Sequence, residues 1–500
     1  MINKKIISIF IISITIMSFL FTSCDNTPQQ NTESNGTNDD MSINMNTEEN
    51  FEDAVARLEA NLPEVNYDGD TFTFLVHEAD GNGYWGSYEI FAEEETGEAI
   101  NDAVYRRNRT IEDRLGIEIK EVRTNDVNSL ATRTIRADDP EYDCIMPRIT
   151  GAASMATSGY LVSYDQLPYI DLTNPWWDQN ANSMLSIGNR LFFTVGDLSI
   201  VDKDSTWVIM FNKTVALNNG LENFYNLVRE DKWTMEKFYS IIRDAARDLN
   251  GDGVMDENDL AGFLSDTGVI LAMFYNTGET VIKKDADDFP YLTLNTERAI
   301  TAEEKTFEIF GDKTAAVLAE DLPHIANPWS DGLNKMFQED RGLFYAIGLT
   351  VMHKMRSMNS DFGVLPFPKL NENQSQYSHS INPWCSNSIA VPVTVRDREK
   401  TSIVLEAMSA EAKYTVIPAY YDVTITNKTI RDEESAEMLN LILSTRSFDL
   451  GFIFNWGDIG YMPNSNFPNT GRFVSTYERL ESRAVSDMEK TIDAFKELYE

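Results

Sequence analysis

The sequence predicts an α/β protein, because short apolar segments of strand length alternate with segments whose apolar residues recur at helical spacing. The strand-like segments lie at 72–77, 117–122 and 142–146. Between the first two, one helical face is formed by Ile100, Val104, Ile111 and Leu115, and Gly116 follows as a typical helix end. Strands that alternate with helices in this way form a parallel sheet covered by helices on both faces.

The composition is that of a globular protein whose charge excludes some classes of partner. The chain has 500 residues, 42% of them hydrophobic, which is enough for substantial cores in about two or three domains. A formal net charge of −38 repels phosphate groups. Neither nucleic acid nor an anionic membrane surface is therefore an expected partner.

The N-terminus has the features of a lipoprotein signal peptide. Lys4 and Lys5 precede a nearly continuous apolar run at 6–20, and small residues then lead to Cys24. We expect residues 1–23 to be removed and residues 24–50, which are rich in Asn, Thr and Ser, to form a disordered polar tether. The protein would then sit on the extracellular face of the bacterial cell membrane. An ordinary signal peptide or a signal anchor is the alternative.

The cysteines have different predicted roles. Cys24 is the predicted lipidation site, carrying fatty acyl chains such as palmitate and serving as the new N-terminus. Cys144 and Cys385 are far apart in sequence. They could form one disulfide in an oxidising compartment, or they could be two buried thiols.

Residues 248–259 have the spacing of an EF-hand calcium loop. Gly253 stands at the sixth position, where the backbone turns sharply and glycine is free of steric cost. The predicted ligands of a structural Ca²⁺ are Asp248, Asn250, Asp252, the Val254 carbonyl, Asp256 and Asp259. Asp259 occupies the twelfth position, where Glu is usual. The alternative is an acidic surface turn that holds no ion.

A series of short segments in a fixed order resembles a known family. The segments are 102–109 (DAVYRRNR), 115–119 (LGIEI), 196–199 (GDLS), 208–213 (VIMFNK), 232–238 (KWTMEKF), 361–369 (DFGVLPFPK) and 389–392 (IAVP). In this order they resemble the extracellular solute-binding lipoproteins of ABC importers, in the carbohydrate-type branch of family 1. The resemblance implies a two-lobed, periplasmic-binding-protein-like fold of type II. It also implies a monomer that closes on a small ligand and delivers it to ABC permease subunits.

The resemblance also implies where the lobes begin and end. We expect the first lobe at 66–203 plus 345–395, and the second lobe at 204–344 plus 396–500. The second lobe would contain the predicted calcium loop.

A sugar ligand calls for aromatic platforms and a few planar hydrogen-bonding groups. Aromatic residues in loops or at strand ends are the first candidates: Trp85, Trp384, Tyr420, Tyr421 and Trp456. Arg148 and Asp197 stand where strands of the first lobe are expected to end, which is where ligands of such sheets bind. Core packing is the open alternative for each aromatic residue. Trp176, Trp177 and Trp329 rank lower, and Trp207 and Trp233 are expected in the core.

Catalysis has little support in the sequence, so we expect a binding protein rather than an enzyme. The histidines are scattered, and neither a G-x-S-x-G elbow nor a P-loop motif is present. A secreted carbohydrate-active hydrolase with two catalytic carboxylates is the first alternative. A surface adhesion protein is the second.

Overall fold

The computed structural model describes residues 57–498 except 82 and 427–432. The predicted signal peptide, Cys24 and the tether lie outside the described residues. Within the described ranges, no helix has both the length and the apolar character needed to cross a membrane.

The strands, in chain order, are β1 (Asp70–His77), β2 (Ile117–Thr124), β3 (Cys144–Ile145), β4 (Phe193–Thr194), β5 (Trp207–Asn212), β6 (Ala261–Ser265), β7 (Ile282–Lys284), β8 (Pro290–Leu292), β9 (Ala316–Leu318), β10 (Gly342–Gly348), β11 (Phe362–Leu365), β12 (His379–Ser380), β13 (Ile389–Ala390) and β14 (Arg446–Ser447). They form two five-stranded sheets and two strand pairs, β12 with β14 and β7 with β8.

The helices are α1 (Ala99–Leu115), α2 (Val127–Arg136), α3 (Ile149–Thr157), α4 (Gln179–Leu185), α5 (Val201–Asp204), α6 (Lys213–Asn218), α7 (Phe224–Arg229), α8 (Met235–Ala245), α9 (Val269–Tyr275), α10 (Glu297–Gly311), α11 (Asn334–Gln338), α12 (Arg398–Tyr414), α13 (Val416–Thr426), α14 (Glu433–Ser444), α15 (Leu450–Phe454), α16 (Met462–Asn466) and α17 (Phe473–Glu497). Short 3₁₀ turns lie at Tyr164–Gln166, Ala319–Asp321, Leu349–Ser357 and Trp456–Tyr461, and a π-helical turn at Pro328–Leu333.

The first sheet has the strand order β2-β1-β3-β13-β4 and defines the first lobe. β1 pairs in parallel with β2 and with β3, as the alternation of strands and helices predicts. β13 is antiparallel to both β3 and β4. Because β13 follows the second sheet in sequence, the chain returns to the first lobe after building the second.

The second sheet has the order β11-β5-β10-β6-β9 and defines the second lobe. β10 pairs in parallel with β6 and antiparallel with β5. Trp233 packs beside this sheet as a fully buried residue, edge-on to Phe238. Its placement in the core agrees with the sequence prediction. Thr234, a residue type favoured at helix N-caps, caps α8, since its side chain accepts from the Lys237 amide.

The sheets correct two of the lobe boundaries that the sequence predicts. β10 and β11 fall largely in 345–395, which the sequence assigns to the first lobe, but both pair with β5 in the second sheet. Conversely, α12 packs beside α1 of the first lobe, and its Lys400 Nζ lies 2.7 Å from Asp70 Oδ2. Hydrogen-bonded strands need not be neighbours in sequence, so a local pattern identifies a strand without identifying its partner.

Candidate functional site

A cavity of about 290 Å³ lies between the two lobes. We call it the central cleft. Its lining residues are Asp80, Tyr84, Trp85, Trp207, Asp266, Gly268, Asn327, Trp329, Ser330, Asn334, Tyr345, Ile347, Gly348, Val351, Asn382 and Trp384. Asp80, Tyr84 and Trp85 follow β1, and Asp266 follows β6. These side chains therefore stand beyond the carboxyl ends of strands in both sheets.

Trp85 reaches from the first lobe to the second. Its backbone has φ = 65°, a left-handed conformation that costs energy for a bulky residue and is characteristic of functional loops. The tip of its indole lies against Gly348, at the end of β10. A Cβ placed on Gly348 would stand only 2.9 Å from Trp85 Cη2. The close approach of the two lobes here therefore requires glycine.

Arg148 connects the two segments that carry Trp85 and Trp384. One guanidinium nitrogen donates to the Trp85 carbonyl at 2.7 Å. The other donates to the Cys385 carbonyl at 2.5 Å and to Asn387 Oδ1 at 2.6 Å. Charge-assisted hydrogen bonds of this kind are strong and directional. Arg148 thus positions the aromatic residues of the cleft and does not itself line it.

Trp384 presents its indole to the cleft on a support of other aromatic rings. Its side chain is 39% exposed, and its ring centroid lies 4.8 Å from that of Tyr461. It also meets Phe452 edge-on at 5.7 Å, while Trp207 stacks on the same Phe452 at 6.4 Å. One buried phenyl ring therefore supports two cleft-lining indoles.

Trp329 and Asp266 form the wall that the second lobe contributes. The Trp329 indole is 45% exposed, and its nitrogen donates to Asp266 Oδ2 at 3.2 Å. The other oxygen of Asp266 accepts from the Gly268 amide at 2.8 Å. Burial, and secondly the charge of Glu320, raises the pKa of Asp266 above its usual value.

Part of this wall was not predicted from the sequence. Trp329 ranked low among the predicted ligand residues. Trp207 was expected in the core, where it is indeed only 3% exposed although it borders the cleft. Asp266 directly follows a buried strand, so the strand-end rule that selects Arg148 would also have selected it. Asp80 follows the predicted strand at 72–77, so the same rule would also have selected it.

Neither a protein-family model nor a curated protein sequence matches the chain. Solved structures do. A sugar transporter from Rhizobium etli in an open conformation aligns with a TM-score of 0.54 at 13% identity, over 85% of this chain and 99% of that one. UgpB from Mycobacterium tuberculosis, in complex with glycerophosphocholine, aligns with a TM-score of 0.54 at 15% identity, over 79% and 98%. A cyclo/maltodextrin-binding protein complexed with maltotetraose gives 0.53 at 14%, over 85% and 97%.

The chain has the two-lobed, periplasmic-binding-protein-like fold. At these identities the similarity establishes the fold, whereas the ligand depends on the side chains of the cleft. The two sheets, the returning strand β13 and the cleft between the lobes are the features that this fold requires, and all of them are present.

Two of the predicted ligand-binding residues, Tyr420 and Trp456, lie in the protein core, outside the central cleft. Tyr420 is fully buried, and its hydroxyl donates to Asp204 Oδ1 at 2.9 Å. Trp456 stacks on Phe454 with an interplanar angle of 13°, and its indole nitrogen donates to Thr491 Oγ1 at 2.9 Å. Both polar ends are satisfied within the core, and neither residue lines the central cleft.

Asp197 and Tyr421 line a different, more polar cavity of about 520 Å³. Asp197 stands between two lysines there, 3.9 Å from Lys203 Nζ and 3.5 Å from Lys413 Nζ. Burial raises the pKa of Asp197, and the two lysines oppose that rise. Charges of both signs pair with one another in this cavity, as is typical of a buried structural network.

Trp176 and Trp177 also border the polar cavity, but they are buried in the first lobe. Their indole nitrogens donate to the two carboxylate oxygens of Glu406, at 3.1 and 2.8 Å. Both tryptophans therefore connect α12 to the first lobe and present no platform to the central cleft.

The predicted calcium loop, residues 248–259, connects helix α8 to strand β6. Gly251 and Gly253 both have positive φ, at 76° and 80°, and their amides donate to Asp248. Asp259 is fully buried and accepts from the amides of Leu249 and Asp256. Over the described residues, no three His, Cys, Asp or Glu side chains are gathered as a metal-binding group.

The two remaining cysteines are free thiols. Cys144 lies buried in β3, and Cys385 lies in the segment beside Trp384. Burial raises the pKa of Cys385 to about 11, which keeps this thiol protonated and unreactive at neutral pH.

Proposed function

We propose that the protein is a membrane-anchored extracellular solute receptor that binds an oligosaccharide in the central cleft and delivers it to an ABC permease. The single observation that carries this proposal is the composition of the cleft. Four indoles and two phenol rings alternate there with amide, carboxylate and hydroxyl groups.

This composition fits the surface of a sugar. A pyranose ring has apolar C–H faces that stack on aromatic rings, and a rim of hydroxyl groups that bond to planar polar side chains. Trp384 and Trp329 supply exposed faces, and Asn334, Asn382 and Asp80 supply polar groups at the same cavity. Two of the similar structures are a cyclo/maltodextrin-binding protein and a sugar transporter, which supports the same ligand class.

Contacts between the lobes beside the central cleft support a receptor that closes on its ligand. Tyr88 of the first lobe donates its hydroxyl to Asp204 Oδ2 at 2.8 Å, and Lys354 Nζ lies 4.9 Å from the centre of the Tyr84 ring. A ligand that contacts both lobes stabilises the closed state selectively. The permease could then distinguish loaded from empty receptor by this closure.

Isothermal titration calorimetry against a panel of oligosaccharides tests the proposal. Trp384→Ala and Trp85→Ala should each weaken binding about tenfold or more, because each removes one aromatic platform. Tyr291→Ala is the matched control, since Tyr291 is an exposed aromatic residue on β8 outside the cleft. Release of smaller sugars during incubation would instead establish the hydrolase. If no saccharide binds, the receptor proposal is wrong.

We propose lipid attachment at Cys24 as the anchor. The basic residues, the apolar run and the following polar tract support it. Metabolic labelling with a palmitate analogue should label the wild-type protein and leave Cys24→Ala unlabelled. Equal labelling of both proteins would exclude this site.

We also propose a structural Ca²⁺ in the loop 248–259. The support is the ligand spacing, together with the two positive-φ glycines that bend the backbone around Asp248. Bound Ca²⁺ would hold the connection between α8 and β6 and relieve the repulsion among the loop carboxylates.

A further inference from the structure

Each charged side chain found in the lining of the central cleft is acidic. The two are Asp80 and Asp266, and among the residues that the structure describes no Lys, Arg or His lines the cavity. Six of the other lining residues are Trp or Tyr. Carboxylates and the negative faces of aromatic rings both attract positive charge.

Asp266 is held in place by neutral donors. Its two oxygens accept from the Trp329 indole and the Gly268 amide, and neither of these donors carries a charge. One oxygen of Asp80 likewise accepts from the Tyr84 amide, at 2.8 Å. The bonds to Asp266 orient its carboxylate without neutralising it, so Asp266 still favours a cation nearby.

Two basic side chains contact residues of the cleft lining without lining the cleft themselves. Lys354 stands over the Tyr84 ring, and Arg148 donates to backbone and amide oxygens of the segments that carry Trp85 and Trp384. Neither lines the cleft. The net charge of −38 adds a long-range negative potential that steers cations toward the protein and anions away.

We infer that the central cleft selects a ligand bearing an organic ammonium group and, on the proposed function, an oligosaccharide that contains a protonated amino sugar. The ammonium group lies against an aromatic face and within reach of a cleft carboxylate, while the C–H face of the ring stacks on an indole. A sugar acid of the same size is repelled by both carboxylates.

Calorimetry with three trisaccharides at about pH 6, where an amine is protonated, tests this selection. The ligands are a β-1,4-linked glucosamine trimer, the glucose trimer with the same linkage, and a uronic acid trimer. We expect the glucosamine trimer to bind at least about tenfold more tightly than the glucose trimer, and the uronic acid trimer not to bind. Choline is the fourth ligand, because a quaternary ammonium compound is the other source of the same chemistry.

Asp266→Asn tests whether the carboxylate causes the selection. The amide oxygen can still accept from Trp329, while the NH₂ group replaces the oxygen that accepts from Gly268, so the change removes the charge and one hydrogen bond with little change of shape. We expect it to lower affinity for the glucosamine trimer about tenfold and to leave affinity for the glucose trimer unchanged. Asp331→Asn is the control, because Asp331 is exposed in the same π-helical turn as Trp329 and does not line the cleft. Melting temperatures equal to that of the wild-type protein would exclude a loss of fold in both variants.

The outcomes separate this inference from the proposed function. If the glucose and glucosamine trimers bind equally, the ammonium selection is wrong and the sugar receptor stands. If Asp266→Asn weakens both trimers alike, the carboxylate acts as a hydrogen-bond acceptor and the charge argument is wrong. If choline binds and neither trimer does, the amino-sugar ligand and the sugar receptor are both wrong.

Discussion

Arg148→Lys should disturb both the stability of the first lobe and the binding of ligand. Arg148 makes three hydrogen bonds at 2.5–2.7 Å, to Trp85, Cys385 and Asn387. The single ammonium of Lys cannot reproduce the planar fork that reaches both segments. We expect it to lose two of the three bonds. Hydrogen bonds to a charged group contribute about 1.5–3 kcal/mol each, so the free energy of unfolding should fall by about 3 kcal/mol or more.

Urea unfolding and calorimetry on the same preparations measure these two effects. The free energy of unfolding should fall by the stated amount, and ligand affinity should fall in addition, because Trp85 and Trp384 lose their common support. Arg123→Lys is the control, since Arg123 is exposed and pairs with Glu121 on the same strand, β2. A loss below about 0.5 kcal/mol would show that Arg148 does not join the two segments. Unchanged affinity in a destabilised variant would show that their positions do not govern binding.

Three further predictions address the contact between the lobes, acid stability and calcium. Gly348→Ala should weaken ligand binding severalfold, because the new Cβ displaces the Trp85 indole. The melting temperature should fall little, because the backbone of Gly348, with φ = −65°, accepts alanine. Equal ligand affinities of variant and wild type would refute the lobe contact. Burial lowers the pKa of His379 from 6.5 to about 3, so the unfolded state gains a proton first as the pH falls below 6.5. Stability contributed by neutral His379 should decline from pH 6.5 toward 3, by about 2 kcal/mol at pH 5, and His379→Gln should unfold with a correspondingly shallower pH dependence in urea titrations. A chelator should lower the melting temperature of the wild-type protein, by the equivalent of about 2.7 kcal/mol if Ca²⁺ is at a hundredfold excess over its dissociation constant, and should leave Asp248→Ala unaffected; a chelator without effect on the wild type would exclude the ion.

The central cleft shows why some predicted ligand residues are found there and others are not. Trp85 and Trp384 could be identified from the sequence as candidate ligand-binding residues, because neither belongs to the apolar face of a predicted helix. Each stands in a loop rich in polar residues. Tyr420 lies in α13, where local sequence cannot indicate whether a helical tyrosine faces a cleft or the core. Tyr420 is buried because α13 packs against α1 and because its hydroxyl bonds to Asp204, at the end of α5. Only the tertiary structure brings these residues together.

The sequence by itself determined the kinds of element and their order. Apolar periodicity defined β1, α1 and β2, Thr234 defined the start of α8, and the glycines of 248–259 defined a tight turn, because each of these depends on neighbours within a few residues. Only the tertiary structure decided that β10 and β11 join the second sheet and that Trp329, Asp266 and Trp384 face one cavity. Those relations depend on hydrogen bonds and packing between residues far apart in the chain, and no local pattern specifies which distant partner is chosen.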